Sequence, residues 1–206
     1  MGKFSKKEAI AFGWGITKKE IKLFIFLLIL IYAILLFLSY LANYAKKESP
    51  FVYCLLTSVS VAFSIIFELG LIKISLKFCD NENPKILDLF SQCRLFFRYL
   101  FASILKSLII FLGFILFIVP GIILSIRLSF FDYLIVDKNS KIIESLKRSW
   151  EITRSNTWNL FLLYLLFALI NILGAFALIV GLFWSIPTTM VAEAFVYRKL
   201  SSQLKV

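Results

Sequence analysis

Six long apolar stretches, separated by short polar segments, account for most of the chain. They cover residues 23–42, 51–72, 99–117, 121–136, 158–173 and 180–197. A helix needs about 20 residues to cross the roughly 30 Å hydrocarbon core of a bilayer, so each stretch is long enough to cross it, two of them only just. The pattern therefore predicts an all-α, polytopic membrane protein with six transmembrane helices.

Turn signals join these helices in pairs. Pro120 and Gly121 lie in a segment without charges and predict a tight turn between the third and fourth helices. Gly174 and Gly181 bracket the corresponding turn in the last pair, and Pro187 is expected to kink the sixth helix rather than end it. The six helices are thus predicted to form three hairpins.

Basic residues are concentrated in alternate connections. The N-terminal tail, the second and fourth connections and the C-terminus each carry three to six lysines and arginines. The first connection has only Lys46 and Lys47, and the third and fifth have none. Because cytoplasmic loops retain Lys and Arg, this bias predicts a multi-pass protein of the cell (inner) membrane with both termini in the cytoplasm.

Short amphipathic helices are predicted on the cytoplasmic side, before three of the entries into the membrane. The first begins after Ser5, whose spacing to Glu8 is that of a capping box. The second begins at residues 83–84, and its apolar face holds Ile86, Phe90, Cys93 and Phe97. The third begins at residues 139–140, and its apolar face holds Ile142, Ile143, Leu146 and Trp150. Such helices lie in the headgroup plane with the apolar face toward the acyl chains.

The first and third of these helices resemble each other in sequence. Residues 8–18 align without a gap on residues 144–154, with Glu, Trp, Ile and Thr identical. We interpret residues 1–206 as a single integral membrane domain built from three repeats, 5–78, 84–137 and 140–200. Similarity by chance between two amphipathic helices remains an alternative explanation.

Charged side chains inside a membrane helix are costly and are therefore candidates for function. The predicted helices contain five of them: Glu68, Lys106, Arg127, Asp132 and Glu193. Glu68, Lys106 and Asp132 fall at similar depth, which predicts a polar cluster, whereas Arg127 is expected nearer the outer side. Glu193 is expected to pair with Arg198 or Lys199 and to stay outside the cluster.

Hydroxyl residues extend this polar character along the second helix, where Thr57, Ser60, Ser64, Glu68 and Ser75 share one face. Two interpretations remain open. The polar residues either line a path for a solute or a proton, or they hold the helices together through interhelical hydrogen bonds and ion pairs. No stretch is predicted to form an unwound or broken helix pair of the kind that transporters use at the midplane, which favours the second interpretation.

Composition excludes several classes of function. The chain has no histidine, and its three cysteines lack the spacing of a zinc site or a disulfide framework. Neither a Gly-rich phosphate loop nor a nucleophile motif occurs, so we expect no enzymatic activity, no catalytic residue, no cofactor and no metal. The net charge of +11 is assigned to anionic lipid at the cytoplasmic face, not to nucleic acid.

Three segments together carry a resemblance to a known group: residues 117–130, residues 133–137, and residues 144–154 followed by Trp158. The combination resembles the membrane domain found ahead of some bacterial glycerophosphoryl diester phosphodiesterases and related six-helix membrane proteins of uncharacterised function. The resemblance implies a polytopic prokaryotic membrane protein with no catalytic residues in this part. The sequence contains no phosphodiesterase domain, so a phospholipid-degrading role is not implied.

Two functions follow as hypotheses. The first is a non-enzymatic, membrane-embedded module that binds anionic lipid or a membrane or cytoplasmic protein partner. The alternative is a small-solute or ion transporter or channel that uses the polar cluster of Glu68, Lys106 and Asp132.

Overall fold

The computed structural model describes residues 4–177 and 180–203, with the backbone alone at residues 47 and 48. Within these ranges the chain is all-helical and contains no β-strand. The α-helices are α1 (Lys6–Lys19), α2 (Ile21–Glu48), α3 (Pro50–Cys79), α4 (Phe96–Leu116), α5 (Ile118–Arg127), α6 (Phe131–Lys138), α7 (Ile142–Thr153), α8 (Thr157–Phe176) and α9 (Leu182–Ser201). Two short 3₁₀ helices, Ile86–Leu89 and Cys93–Leu95, precede α4.

Five helical segments of the described chain are long and apolar enough to cross a membrane. They are Ile21–Lys46, Pro50–Cys79, Ile86–Leu116, Ile118–Lys138 and Thr157–Phe176. The sixth predicted helix, α9, is long enough but is not among them, because its threonines and charged residues lower its mean hydropathy. The all-helical class and several membrane-length helices are therefore confirmed.

Helices that follow one another in the chain pack side by side: α2 along α3, α4 along α5, and α8 along α9. Glycines permit the close approach, since a Cβ on Gly113 or Gly121 would overlap side chains of the facing helix. Gly174 and Gly181 face each other in the same way between α8 and α9. These glycines bring α4 and α5, and likewise α8 and α9, together near the connection that joins them.

The chain reverses between α4 and α5 at Phe117, whose backbone is extended, and not at Pro120 and Gly121 as predicted. Pro120 lies in the first turn of α5, where backbone N–H groups have no intrahelical acceptor and a proline therefore costs little. Pro187 lies inside α9, which continues past it as expected.

The fourth predicted helix, residues 121–136, is not continuous. It consists of α5 and α6, separated by residues 128–130. The sequence analysis treated this stretch as one helix and did not predict the interruption, which coincides with a contact with α7 that is described with the site below.

The second predicted amphipathic helix was wrong in type. Residues 86–95 form 3₁₀ turns, with three residues per turn, so Leu89, Gln92 and Leu95 share the buried face. The four residues predicted to face the acyl chains, Ile86, Phe90, Cys93 and Phe97, are exposed on the protein surface, which is compatible with that prediction. The segment lies against α3, where Gly70 leaves room for the backbone of Leu89.

The first amphipathic helix, α1, begins as predicted, with the Ser5 hydroxyl accepting the Glu8 N–H at 3.3 Å. It packs lengthwise against α9 in the antiparallel direction. Glu8 forms an ion pair with Lys199 at 2.6 Å, and the Phe12 ring stacks on Phe195. The contact uses the small residues on one face of α1, which are Ala9, Gly13 and Thr17.

Replacing Gly13 with alanine is expected to weaken this contact, because the new Cβ would overlap the Thr188 carbonyl oxygen. Overpacking of this kind costs about 1–3 kcal/mol. Gly15→Ala provides the matched control, since no atom lies within 4 Å of its added Cβ. The free energy of unfolding of that variant should rise by up to about 1 kcal/mol, because alanine has a higher helix propensity than glycine. The thermal unfolding temperature in detergent should fall for Gly13→Ala and rise slightly for Gly15→Ala. Equal shifts of this temperature in the two variants would contradict the α1–α9 contact.

Candidate functional site

Five helices surround a space inside the bundle. Each contacts the next in the order α3, α9, α8, α5 and α4, and α4 contacts α3, so the ring is closed. Within it lies an open cleft with a volume of about 430 Å³. Its polar side chains, which we call the polar cleft, are Lys106, Ser125, Ser129, Asp132, Tyr164 and Glu193.

Helix α6 closes one end of this space. It contacts α3 and α4, and its residues from Tyr133 to Val136 are buried. At its C-terminal end, Asp137 accepts hydrogen bonds from Arg198 at 2.7 Å and from the Tyr197 hydroxyl at 2.9 Å. Arg198 also bonds Asp80 at the end of α3, at 2.6 Å. We call this closed end the basic end; the ion pairs there hold α3, α6 and α9 together.

The break between α5 and α6 places Asp132 in the cleft. The carbonyl of Arg127, which has lost its helical partner, accepts hydrogen bonds from Ser149 Oγ at 2.9 Å and Thr153 Oγ1 at 3.1 Å. The Phe130 N–H donates to Ser149 Oγ at 3.1 Å. Two hydroxyls of α7 thus replace the helical hydrogen bonds at the break, and α6 starts anew just before Asp132.

Helix α7 therefore packs on the rest of the protein through a hydroxyl-bearing face, a contact that the sequence analysis did not predict. Its buried residues are Ser145, Leu146, Ser149, Ile152 and Thr153. Ile143 is 62 % exposed, and Trp150 is 36 % exposed. The apolar residues of this helix remain available to lipid, because the hydroxyl groups are needed at the break.

The charges in the polar cleft have few partners. Asp132 Oδ1 accepts the Tyr133 N–H at 2.9 Å, and Glu193 Oε1 accepts the Tyr164 hydroxyl at 2.7 Å. The Lys106 ammonium lies 4.4 Å from the centroid of the Phe131 ring. Among the described residues, no carboxylate oxygen lies within 4.0 Å of Lys106.

The structure brings together some of the predicted cluster. Lys106 and Asp132 line the same cleft, as expected. Glu68 is exposed and does not line it, although it lies within electrostatic reach of Asp132 and Glu193. Arg127 is elsewhere, with its guanidinium 4.3 Å from the ring centroid of Trp150 on α7. It contacts α7 because that helix reaches the break, and its expected place near the outer side stays a prediction.

Glu193 was missed by the sequence analysis and belongs to the cleft. Its expected partners are taken, since Arg198 bonds Asp80 and Asp137, and Lys199 bonds Glu8. The available signal was spacing: Thr189 and Glu193 are four residues apart and share a face of α9. Asn171 Nδ2 of α8 lies 3.5 Å from Thr189 Oγ1 of α9. The same packing of α8 on α9 brings Tyr164 to Glu193.

The hydroxyl stripe on α3 does not join helices. Thr57 and Ser64 donate to the carbonyls of Tyr53 and Ser60 in their own helix, at 2.7 and 3.0 Å. Both side chains are exposed. These hydroxyls therefore supply no interhelical hydrogen bond.

A second, larger groove lies between α4 and α7, with a volume of about 900 Å³. Its apolar wall is formed by Phe97, Phe101 and Ile143, all of them exposed. Its polar side chains are the bases Arg98, Lys141, Lys147 and Arg148 and the acids Glu144 and Glu151. We call it the α4–α7 groove.

The comparisons with known proteins give one match. A family model described as a domain of unknown function (DUF7847) covers residues 90–203, more than half of the chain. The chain belongs to this family. No curated protein and no solved structure matches it. The matched region of this DUF7847 protein runs from the second amphipathic segment through α9, so it contains every residue of the polar cleft and of the α4–α7 groove.

Ser149→Ala should destabilise the bundle, because the Phe130 N–H and the Arg127 carbonyl lose a partner in a buried place. Leaving buried polar groups without partners costs about 1–3 kcal/mol. The exposed serine of α4, Ser107, provides the control as Ser107→Ala. We expect a clear fall in the thermal unfolding temperature of Ser149→Ala in detergent and none for the control. An unchanged temperature would mean that the α7 hydroxyls do not support the break.

Proposed function

We propose that the chain is an integral protein of the cell (inner) membrane with six spans in three hairpins. The five membrane-length segments provide five spans, and α9 provides the sixth. Its polar residues support this, because Ser185, Thr188 and Thr189 are buried against other helices. A helix shielded from lipid in this way does not need a high hydropathy.

The distribution of charge supports cytoplasmic N- and C-termini. The bases of the second and fourth connections and of the C-terminus meet at the basic end, where Arg98 bonds Asn139 and Arg198 bonds Asp80 and Asp137. The connections at the opposite end carry few bases or none. Positive charge is retained on the cytoplasmic side, so we assign the basic end to the cytoplasm.

Cysteine labelling in intact cells tests this topology, in a background where the native Cys54, Cys79 and Cys93 are replaced by serine. A cysteine at Ser49, between α2 and α3, should react with a membrane-impermeant maleimide from outside. A cysteine at Lys141 should react only after the cells are opened. The reverse pattern would overturn the orientation, and labelling of both from one side would overturn the six spans.

For the activity, we propose a non-enzymatic, membrane-embedded module that binds anionic phospholipid in the α4–α7 groove. The observation that carries the proposal is the composition of the groove, in which exposed aromatic and aliphatic side chains lie beside a basic rim. An acyl chain requires the exposed apolar side chains, and a phosphate requires the basic rim.

The charges of the rim are only partly neutralised within the chain. Arg148 bonds Glu144 at 2.9 Å, and Arg98 bonds the side-chain oxygen of Asn139 at 2.6 Å. Lys141 and Lys147 are exposed, and four bases face two acids in the groove. The excess positive charge favours an anionic headgroup over a zwitterionic one. The sequence also lacks enzymatic motifs, which favours binding over catalysis.

A transporter or channel is the second candidate, and the open polar cleft favours it. Transport requires a route past α6, which closes the cleft at the basic end with buried side chains. The resemblance to the membrane domain of the phosphodiesterases stays a prediction, and it does not decide between the two candidates.

Native mass spectrometry of the full chain in mixed phosphatidylglycerol and phosphatidylcholine tests the groove. Lys141→Gln with Lys147→Gln should reduce the retained phosphatidylglycerol about tenfold or more, since hydrogen bonds to charged groups are worth about 1.5–3 kcal/mol each. Lys18→Gln with Lys19→Gln removes the same charge from α1 and is the control. Equal losses in both double variants would indicate diffuse attraction and contradict a groove site. Retention of a protein instead of lipid would favour the partner-binding form of the module.

A further inference from the structure

The polar cleft contains charges that the folded chain leaves without ion-pair partners, and this points to a ligand. Lys106 has no carboxylate oxygen within 4.0 Å among the described residues, and Asp132 and Glu193 each accept a single recorded hydrogen bond. A carboxylate offers about four acceptor sites and an ammonium offers three donors. Lys106 acts electrostatically on Asp132 and Glu193 but forms an ion pair with neither. Charges among packed helices are costly unless they are paired, so an occupant that bridges these groups would stabilise the site.

A hydroxyl inside the cleft supports the same conclusion independently. Ser129 lies at the break between α5 and α6 and lines the cleft beside Asp132. Its Oγ is buried and has no hydrogen-bond partner in the described chain. Ser125, one turn earlier, bonds instead to the Ile122 carbonyl of its own helix at 2.8 Å. Ser129 lies beside the Tyr164 hydroxyl without a well-formed hydrogen bond to it, and so can donate to a ligand next to the charged groups.

The charges decide what kind of ligand fits. One cation and two carboxylates line the cleft, and Glu68 adds a third carboxylate within electrostatic reach. An anion alone would be repelled by the carboxylates, and a cation alone would leave Lys106 without a partner. Among the described residues no group of three His, Cys, Asp or Glu side chains converges to hold a metal ion. A molecule with both an ammonium and an anionic group satisfies all three side chains.

We propose that the polar cleft binds a small zwitterion, with its ammonium between Asp132 and Glu193 and its carboxylate or phosphate at Lys106. The volume of about 430 Å³ lies within the range of small-ligand sites and accommodates an amino acid or an ethanolamine phosphate headgroup. Tyr164 positions Glu193 through its hydroxyl at 2.7 Å, and Ser129 provides a further hydrogen bond to the ligand. This site is separate from the α4–α7 groove and does not depend on it.

The ligand chemistry provides the first test, on the unmodified full chain. Phosphatidylethanolamine and phosphatidylcholine nanodiscs are compared for retained lipid by native mass spectrometry, and free glycine and O-phosphoethanolamine are titrated by thermal shift. N-trimethylated counterparts, glycine betaine and phosphocholine, are the controls because a quaternary ammonium donates no hydrogen bond. If the protein retains more phosphatidylethanolamine than phosphatidylcholine, the ligand is a lipid headgroup. If free glycine or O-phosphoethanolamine raises the unfolding temperature saturably, the ligand is a solute. Equal behaviour of the primary and quaternary amines in both formats overturns the proposal.

Variants provide the second test. Asp132→Asn and Glu193→Gln keep the size of the side chain and remove the charge, so each should weaken binding about tenfold to hundredfold. Lys106→Met should do the same for ligands with an anionic group. Glu68→Gln, at a distance from the cleft, should cost less than threefold, and the exposed Glu82→Gln should cost nothing. A variant that does not fold is replaced by Tyr164→Phe, which leaves the charge of Glu193 in place and should weaken binding severalfold. Wild-type affinity in folded Asp132→Asn and Glu193→Gln would overturn the proposal.

Discussion

The carbonyl of Arg127 determines much of this architecture. A helix that ends inside a bundle leaves backbone groups that must find partners, because membrane interiors supply no water to satisfy them. Ser149 and Thr153 of α7 provide those partners. With them in place, α5 ends, α6 turns to close the basic end, and Asp132 faces the cleft. The same contact fixes α7 beside α4 and so forms the α4–α7 groove.

The two amphipathic helices that resemble each other in sequence also dock in the same way. The alignment of residues 8–18 with 144–154 places the buried Ala9, Gly13 and Thr17 of α1 on the buried Ser145, Ser149 and Thr153 of α7. Each set packs on the second helix of another pair, α9 for α1 and the α5–α6 break for α7. The segment before α4 packs on α3 at Gly70 in a related manner. This agrees with three repeats closed into a ring, although the repeats remain a prediction.

Apolar length and capping residues were sufficient to predict the helical class, most helix positions and the start of α1. Hydrophobic periodicity failed where small polar residues formed the contacts. It predicted only which face of α7 and of residues 86–95 turns toward the acyl chains, and not which residues pack on the rest of the protein, among them Ser149 and Leu89. The break after Arg127 has no proline or glycine to mark it, since its cause is a hydroxyl 22 residues later. Lys106 and Asp132 were predicted as neighbours from depth alone, but Glu193 required the packing of α8 on α9.

The contact between α1 and α9 has a consequence for biogenesis. Translation proceeds at about 5–20 residues per second, so α1 leaves the ribosome long before the helix that receives its small face. During that interval the small face of Ala9, Gly13 and Thr17 has no partner on α9. Docking becomes available only when α9 has been inserted with Lys199 near Glu8. An early helix of the chain therefore completes its packing only after the last described one, and a nascent chain that stops before α9 leaves α1 as an undocked amphipathic segment.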